Sequence, residues 1–316
     1  MAKAFVFPGQ GSQAVGMGKA LAEAYAPARQ VFAEVDEALH QKLSALMFEG
    51  PEAELTLTAN AQPALMATSL AVLRVLEAEA ELDLGRDAAF VAGHSLGEYS
   101  ALAAAGSFSI PDAARLLRRR GEAMQQAVPV GVGAMAALIG LDLDGAIEVA
   151  KAAAEQTGEV CAVANDNGGG QVVISGTKVA VDAAIEIAKG KGVRRAVPLA
   201  VSAPFHCPLM QPAADAMAVA LAEVEIRRPK VPLVANVLAA AIEDPEDIRQ
   251  RLVAQVTGTV RWRESVAYMA AHGVDTFIEL GSGKVLTGLL KRIVADAQGF
   301  AVGTPDEIAA FPSSCV

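Results

Sequence analysis

The sequence predicts an α/β fold, a large domain with a parallel sheet and a small βαββαβ subdomain inserted into it. Three observations carry that expectation. An apolar run at residues 88–92 turns through Gly93-His94-Ser95-Leu96-Gly97 into a helical stretch at 98–105. A second apolar run at 4–7 is closed by Pro8-Gly9-Gln10-Gly11-Ser12-Gln13. From 131 to 198 the strand and helix patterns follow the order βαββαβ, the ferredoxin-like arrangement. The chain has 316 residues, 53% of them hydrophobic, enough for a sizeable core. The expected division is 1–130 with 199–316 for the large domain and 131–198 for the small one.

Taken in order, residues 4–7 read as a buried strand. Pro63 suits a first helical position, so a helix is expected to open there and run through Leu65, Met66, Leu70, Leu73 and Leu76. The strand before Gly93 and the helix after Gly97 follow. Pro111-Asp112 opens a helix over 113–126, which carries Arg115, Arg118, Arg119 and Arg120. In the insert, 134–141 reads as strand, 144–156 as helix, 160–164 and 171–175 as strands, 179–189 as helix and 194–199 as strand. Asn165-Asp166-Asn167-Gly168-Gly169-Gly170 links the two middle strands. Ser202-Ala203-Pro204-Phe205-His206 returns the chain to the large domain. Short strands are expected at 232–237 and 276–280, and the tail 311–316 is expected to be loosely held.

Composition excludes several classes. A formal net charge of −10 disfavours nucleic acid and anionic membranes as partners. Cys161, Cys207 and Cys315 are odd in number and lack metal-ligand spacing, which points to a reducing compartment and no disulfide framework. The apolar start is cut short by Pro8, so no signal peptide is expected. No apolar run reaches the ~20 residues of a membrane span. The expected setting is the cytoplasm. A monomer is expected, although no sequence feature fixes the oligomeric state.

Strand, Gly-x-Ser-x-Gly, helix is the nucleophile-elbow pattern. Its glycines let the turn close, and the turn lifts Ser95 Oγ clear of the sheet. A glycine-rich loop in which Ser95 only caps a helix is the competing reading. A serine nucleophile needs a base. His94 adjoins Ser95 in the tight turn, so its ring should point away from Ser95 Oγ. His40 and His272 lie in polar helical surroundings. Elimination favours His206, while a structural loop histidine stays open on the residues alone. Asp112, Asp142, Asp144, Asp166 and Asp182 could complete a triad, but none ends a strand of the large domain. A Ser–His dyad oriented by a carbonyl or an amide is equally compatible.

Two glycine-rich stretches mimic nucleotide sites. Gly9-Gln10-Gly11-Ser12-Gln13-Ala14 follows a strand, but Pro8 stiffens its turn and no acid closes a second strand about 20 residues on. Gly281-Ser282-Gly283-Lys284 lacks the first glycine of a phosphate loop, having Ile278 there, and has Val285 in place of the magnesium-binding hydroxyl.

Phe7-Pro8-Gly9-Gln10-Gly11-Ser12-Gln13, Gly93-His94-Ser95-Leu96-Gly97-Glu98-Tyr99-Ser100-Ala101-Leu102 and Phe205-His206 occur in that order. Together they resemble the malonyl-CoA:acyl-carrier-protein transacylases, the stand-alone acyltransferases of type II fatty acid synthesis. The resemblance spans nearly the whole chain and includes Thr58-Ala59-Asn60-Ala61-Gln62-Pro63-Ala64-Leu65 and Gly281-Ser282-Gly283-Lys284-Val285-Leu286. It implies an α/β-hydrolase-like large domain with a ferredoxin-like insert. It implies Ser95 as nucleophile, His206 as base and the Gln10 and Leu96 N–H groups as oxyanion hole. It further implies Gln255 as the residue whose main chain orients the histidine, and Arg120 as the grip for the malonyl carboxylate. A guanidinium can hold a carboxylate through two parallel hydrogen bonds. Consecutive helical residues diverge, so at most one of Arg118, Arg119 and Arg120 should enter a pocket.

His94 and Asn165 are expected beside the site, Asn165 with no role assigned because the glycine-rich turn after it departs from the family. Phe205 resembles malonyl-selective relatives, which implies discrimination against methylmalonyl. The implied partners are malonyl-CoA and acyl carrier protein, with no metal or redox cofactor. Docking an acidic carrier on an acidic chain needs a local basic patch. Lys189, Lys191, Arg194 and Arg195, or Lys284, Lys291 and Arg292, could supply it. The alternatives are a serine esterase or thioesterase using the same elbow, and a non-catalytic carrier-docking module.

Overall fold

Ten strands form two separate sheets in the computed structural model, which describes residues 2–201, 203–312 and 315. In chain order they are β1 (Ala2–Phe7), β2 (Phe90–Gly93), β3 (Gly133–Ile139), β4 (Cys161–Asp166), β5 (Gln171–Thr177), β6 (Arg195–Pro198), β7 (Leu233–Val234), β8 (Ala241–Ile242), β9 (Val274–Leu280) and β10 (Gln298–Val302). The six-stranded sheet has the order β10-β9-β1-β2-β7-β8. All its pairings are parallel except β7 with β8. Such a sheet is covered on both faces, so its strands read as continuous apolar runs. Phe5 and Phe7 face one core cluster, while Ala4 and Val6 face the other.

The second sheet is antiparallel, in the order β4-β5-β3-β6. With the helices Leu143–Thr157 and Lys178–Gly190 it makes the βαββαβ unit. Those helices bury Val149, Ala150, Val181 and Ala184 against Leu138 and Ile174. β4 carries a register shift between Val163 and Asn165, and Asn165 bridges to Val260, which ties the small sheet to the segment between the helices Pro245–Thr257 and Trp262–Ala271.

The helix expected to open at Pro63 instead runs Thr58–Glu79, with Pro63 inside it. Proline loses only one intrahelical hydrogen bond near a helix start. The preceding turn is held by Asn60, whose Nδ2 donates to the Glu54 carbonyl at 2.8 Å. The second helix begins at Ile110, where the Ser109 hydroxyl accepts from the Asp112 N–H. The strand expected at 232–237 is only two residues long, and β8 and β10 were not expected at all. In the tail, residues 313, 314 and 316 lie outside the described residues, as does Ser202 in the returning loop. Cys315 is buried in the main core. Among the described residues no helix is long and apolar enough to cross a membrane.

Candidate active site

The site lies beyond the carboxyl ends of β1, β2 and β7, where open parallel sheets bind their ligands. β1 ends at Phe7, paired with Gly93 of β2, so the Gln10 turn lies beside the Ser95 turn. A Cβ at Gly93 would fall 1.9 Å from the Gly97 carbonyl, and one at Gly97 would fall 2.2 Å from the Phe7 carbonyl. Only glycine fits either place. The turn holds Ser95 at φ 54°, in the left-handed region where a side chain costs free energy. His206 has φ 57°, the same strain on the facing loop.

Ser95 Oγ lies 2.7 Å from His206 Nε2. His206 Nδ1 lies 2.8 Å from the Gln255 carbonyl oxygen. A carbonyl only accepts, so Nδ1 carries the ring proton and Nε2 is left to accept from the serine. Burial first, and then the charge of Arg120, push His206 down to about 3. The imidazole is therefore neutral at pH 7 and able to take a proton. None of the five aspartates considered as a triad acid contacts it. His40 and His272 are exposed.

Arg120 is 1% exposed, although two arginines precede it. Ala113, Leu117, Arg120 and Met124 recur at steps of three and four along the buried stripe of the helix Ile110–Ala127. Arg119 is exposed, and Arg118 is half-buried with Nη1 donating to Asn60 Oδ1 and Nη2 to Gln41 Oε1. Arg120 Nη1 donates to Gln62 Oε1 at 2.8 Å. Its Nη2 donates to Gln255 Oε1 at 2.7 Å and to Ser95 Oγ at 3.1 Å. Arg120 Nε has no partner among the described residues. Desolvation lowers the guanidinium's pKa from its usual value, and a cation so placed favours a bound anion.

A cleft of about 280 Å³ opens on Ser95, His206 and Arg120. Its walls include Gln10, Leu96, Phe205 and Asn165. Among the described residues the Gln10 and Leu96 N–H groups donate to no protein acceptor, which leaves them available to an oxyanion. The His94 ring turns away from Ser95 Oγ, and its Nε2–H donates to Asn167 Oδ1 at 2.9 Å. Burial lowers its pKa. Asn165 reaches the cleft wall, but its side chain makes no hydrogen bond to the other site residues.

The sequence reading missed four side-chain roles. Gln62 and the Gln255 amide hold Arg120. Asn236, just past β7, accepts from the Ser95 N–H at 2.8 Å and donates to the Gly93 carbonyl at 2.7 Å. Glu98 lies fully buried beneath the elbow. The available signal was a polar residue inside an apolar stretch, as in Val234-Ala235-Asn236-Val237.

Fold and site together define a serine–histidine α/β protein of the nucleophile-elbow class. The chain belongs to the acyl transferase domain family, whose match covers residues 4–304. It is 48% identical over 305 residues to the malonyl CoA-acyl carrier protein transacylase of Bacillus subtilis, covering 96% of this chain and 94% of that one. The acyl-carrier-protein-S-malonyltransferase of Bartonella henselae superposes with a TM-score of 0.95 at 59% identity, covering 98% of both chains. A malonyl-transacylase solved in complex with its type II PKS acyl-carrier protein superposes at 0.94 and 44% identity, again over 98% of both chains.

Proposed function

We propose that the protein moves a malonyl group from coenzyme A to the phosphopantetheine thiol of an acyl carrier protein through a malonyl ester on Ser95. The observation that carries this reading is the buried Arg120 guanidinium, 3.1 Å from Ser95 Oγ in the same cleft. A hydrolase of neutral esters gains nothing from a desolvated cation there. An acyl group ending in a carboxylate gains a charge-assisted partner.

The chemistry follows from the hydrogen bonds. Ser95 Oγ attacks the thioester carbonyl as its proton passes to His206 Nε2, and the imidazolium is held by the Gln255 carbonyl. The oxyanion takes the Gln10 and Leu96 N–H groups, and loss of one such donor typically costs about 10²–10³ in rate. The tetrahedral species collapses, the C–S bond breaks, and His206 returns the proton to the CoA thiolate. The carrier thiol then attacks the ester with His206 again as base, and Ser95 leaves with its proton restored. Phe205 on the cleft wall favours malonyl over a branched methylmalonyl group by occupying space.

The basic patches support carrier docking unequally. Lys189 and Lys191 are paired with Glu186 and Glu148, and Lys284 lies 3.8 Å from Glu307. Arg194, Arg195, Lys291 and Arg292 are exposed without ion pairs among the described residues. Arg292 lies against Gly169 of the small-sheet turn, and Arg194 against Gly140. Arg292 therefore borders the junction between the small sheet and the rest of the chain, whereas Arg194 lies within the small-sheet unit. Cys161 and Cys207 are free thiols, which supports a cytoplasmic setting.

Mass spectrometry after incubation with malonyl-CoA tests the reading. The peptide containing Ser95 should gain one malonyl group and lose it when phosphopantetheinylated carrier is added. A Ser95→Ala variant that still acquired the group would sink the assignment. Loss of the group to water at the same rate without carrier would favour the thioesterase alternative.

A further inference from the structure

We propose that Glu98 is a positioning residue for acyl selectivity: through the Gln255 side chain it sets the orientation of the Arg120 guanidinium. The proposal rests on the malonyl reading given above. Glu98 is the second residue of the elbow helix Gly97–Ala104 and is 0% exposed. Its helix is otherwise filled by Gly, Tyr, Ser, Ala and Leu. A carboxyl group so far from water is costly unless hydrogen-bonded. Glu98 Oε2 accepts from Gln255 Nε2 at 2.8 Å and from the Asn236 N–H at 3.1 Å. Glu98 Oε1 has no partner among the described residues.

The Gln255 amide is the pivot. Its Nε2 donates both to Glu98 Oε2 and to the Ser95 carbonyl, at 2.8 and 2.9 Å. Its Oε1 is left to face Arg120 Nη2 at 2.7 Å. A primary amide has donors at one end and an acceptor at the other. Two acceptors on the elbow side therefore decide which end meets the guanidinium. A flipped amide would set N–H against N–H at Arg120 and oxygen against two oxygens at the elbow. Without Glu98 only the Ser95 carbonyl would remain to prevent that flip. The main chain of the same Gln255 holds His206 Nδ1 and does not depend on the amide.

Two roles are thus separated on one residue, the base on its backbone and the carboxylate grip on its side chain. Burial pushes the Glu98 carboxyl up to about 7, against the hydrogen bonds from Gln255 and Asn236 and the charge of Arg120. A proton on the unpartnered Oε1 leaves Oε2 still accepting, so the clamp holds in either state.

The test compares kcat/KM for acylation by malonyl-CoA and by acetyl-CoA in the wild type, Glu98→Gln, Glu98→Asp and Glu98→Ala. Glutamine keeps an acceptor oxygen at the same reach, so its malonyl-to-acetyl ratio should stay within about threefold of wild type. Aspartate is one methylene too short and alanine has no acceptor. Both should lower the ratio by about tenfold or more, chiefly through the malonyl KM, the size of one lost buried hydrogen bond to a charged partner. A purely structural role would lower both acyl rates together. An unchanged ratio in a folded Glu98→Asp or Glu98→Ala variant overturns the proposal, as does a collapsed ratio in Glu98→Gln. Should neither shortened variant fold, Gln255→Ala breaks the same link from the other side, and an unchanged ratio there overturns it equally. A wild-type protein that takes no malonyl group overturns the functional reading itself. A labelled wild type with an unmoved ratio overturns only the role of Glu98.

Discussion

Replacing Arg120 by alanine separates a carboxylate grip from a structural guanidinium. Arginine has five N–H donors. Three bonds are already made here, to Gln62, Gln255 and Ser95 Oγ, and Nε is unpartnered. The group is therefore held rigidly by two amide oxygens with donors left for an incoming anion. Truncating one partner of a buried, charge-assisted pair costs about 2–5 kcal/mol. At about 1.4 kcal/mol per factor of ten, malonyl kcat/KM should fall by about 30-fold to a few thousandfold. Acetyl transfer lacks that interaction. It should hold or rise, because Ser95 Oγ loses a donor that occupies one of its lone pairs.

The same change leaves the Gln62 and Gln255 oxygens without their donor, at about 1–3 kcal/mol each, offset by removal of a desolvated charge. Thermal unfolding must therefore be followed beside the kinetics. The assay is single-turnover acylation by malonyl-CoA and acetyl-CoA, read by intact mass. Equal losses for both acyl groups in a folded variant would refute the reasoning and make Arg120 a structural residue.

His206→Ala should cut acylation by orders of magnitude, and near-normal turnover would remove the base assignment. With His206 pushed down to about 3, wild-type kcat/KM should show no acid limb near pH 6.5 that disappears in His206→Ala. Stability follows the same sign. A buried neutral histidine stabilises the fold above its unfolded pKa of about 6.5, and that contribution is lost as pH falls toward the folded value. Glu98 acts oppositely, since a pKa raised to about 7 stabilises below the unfolded carboxylate value and is lost as pH rises through 7. The Tm of Glu98→Gln minus that of wild type should therefore be more positive at pH 8 than at pH 5, and a flat or reversed difference would show that Glu98 ionises freely. Charge reversal at Arg194 and Arg292 should raise the carrier KM and flatten its salt dependence, while Lys189 and Lys191, already paired, should matter less. An unchanged KM at all four positions would remove the docking patch.

Much of the scaffold was legible in the residues because its signals are local. A strand, a glycine-flanked serine and a helix are adjacent in the chain, and the sterics that require glycine at 93 and 97 act over a few residues. The βαββαβ order shows as a change of hydrophobic period. Helical geometry limits the pocket to at most one of Arg118, Arg119 and Arg120, and it is the family resemblance that implies Arg120. The helix start at Thr58 was misread because Pro63 is a strong local signal, whereas the turn before it is held by the Glu54 carbonyl. β8 has two residues, too few for any periodicity.

What the chain alone determined, then, is the elbow, the class of chemistry it permits and the limit of one pocket arginine among three. What only the tertiary structure decided is the polar set behind them. Glu98 meets Asn236 across 138 residues, and Ser95 meets Gln255 across 160. Neither pairing leaves a period or a spacing, because no neighbouring residue is constrained by it. These groups converge because the parallel strands β1, β2 and β7 end on one edge of the sheet, and the helix Pro245–Thr257 sets Gln255 beside them. Once buried there, each donor must find an acceptor or cost the fold its desolvation energy. That requirement, imposed by packing and not by sequence neighbours, selects a glutamine, an asparagine and a glutamate where the residues alone showed only polar interruptions in apolar runs.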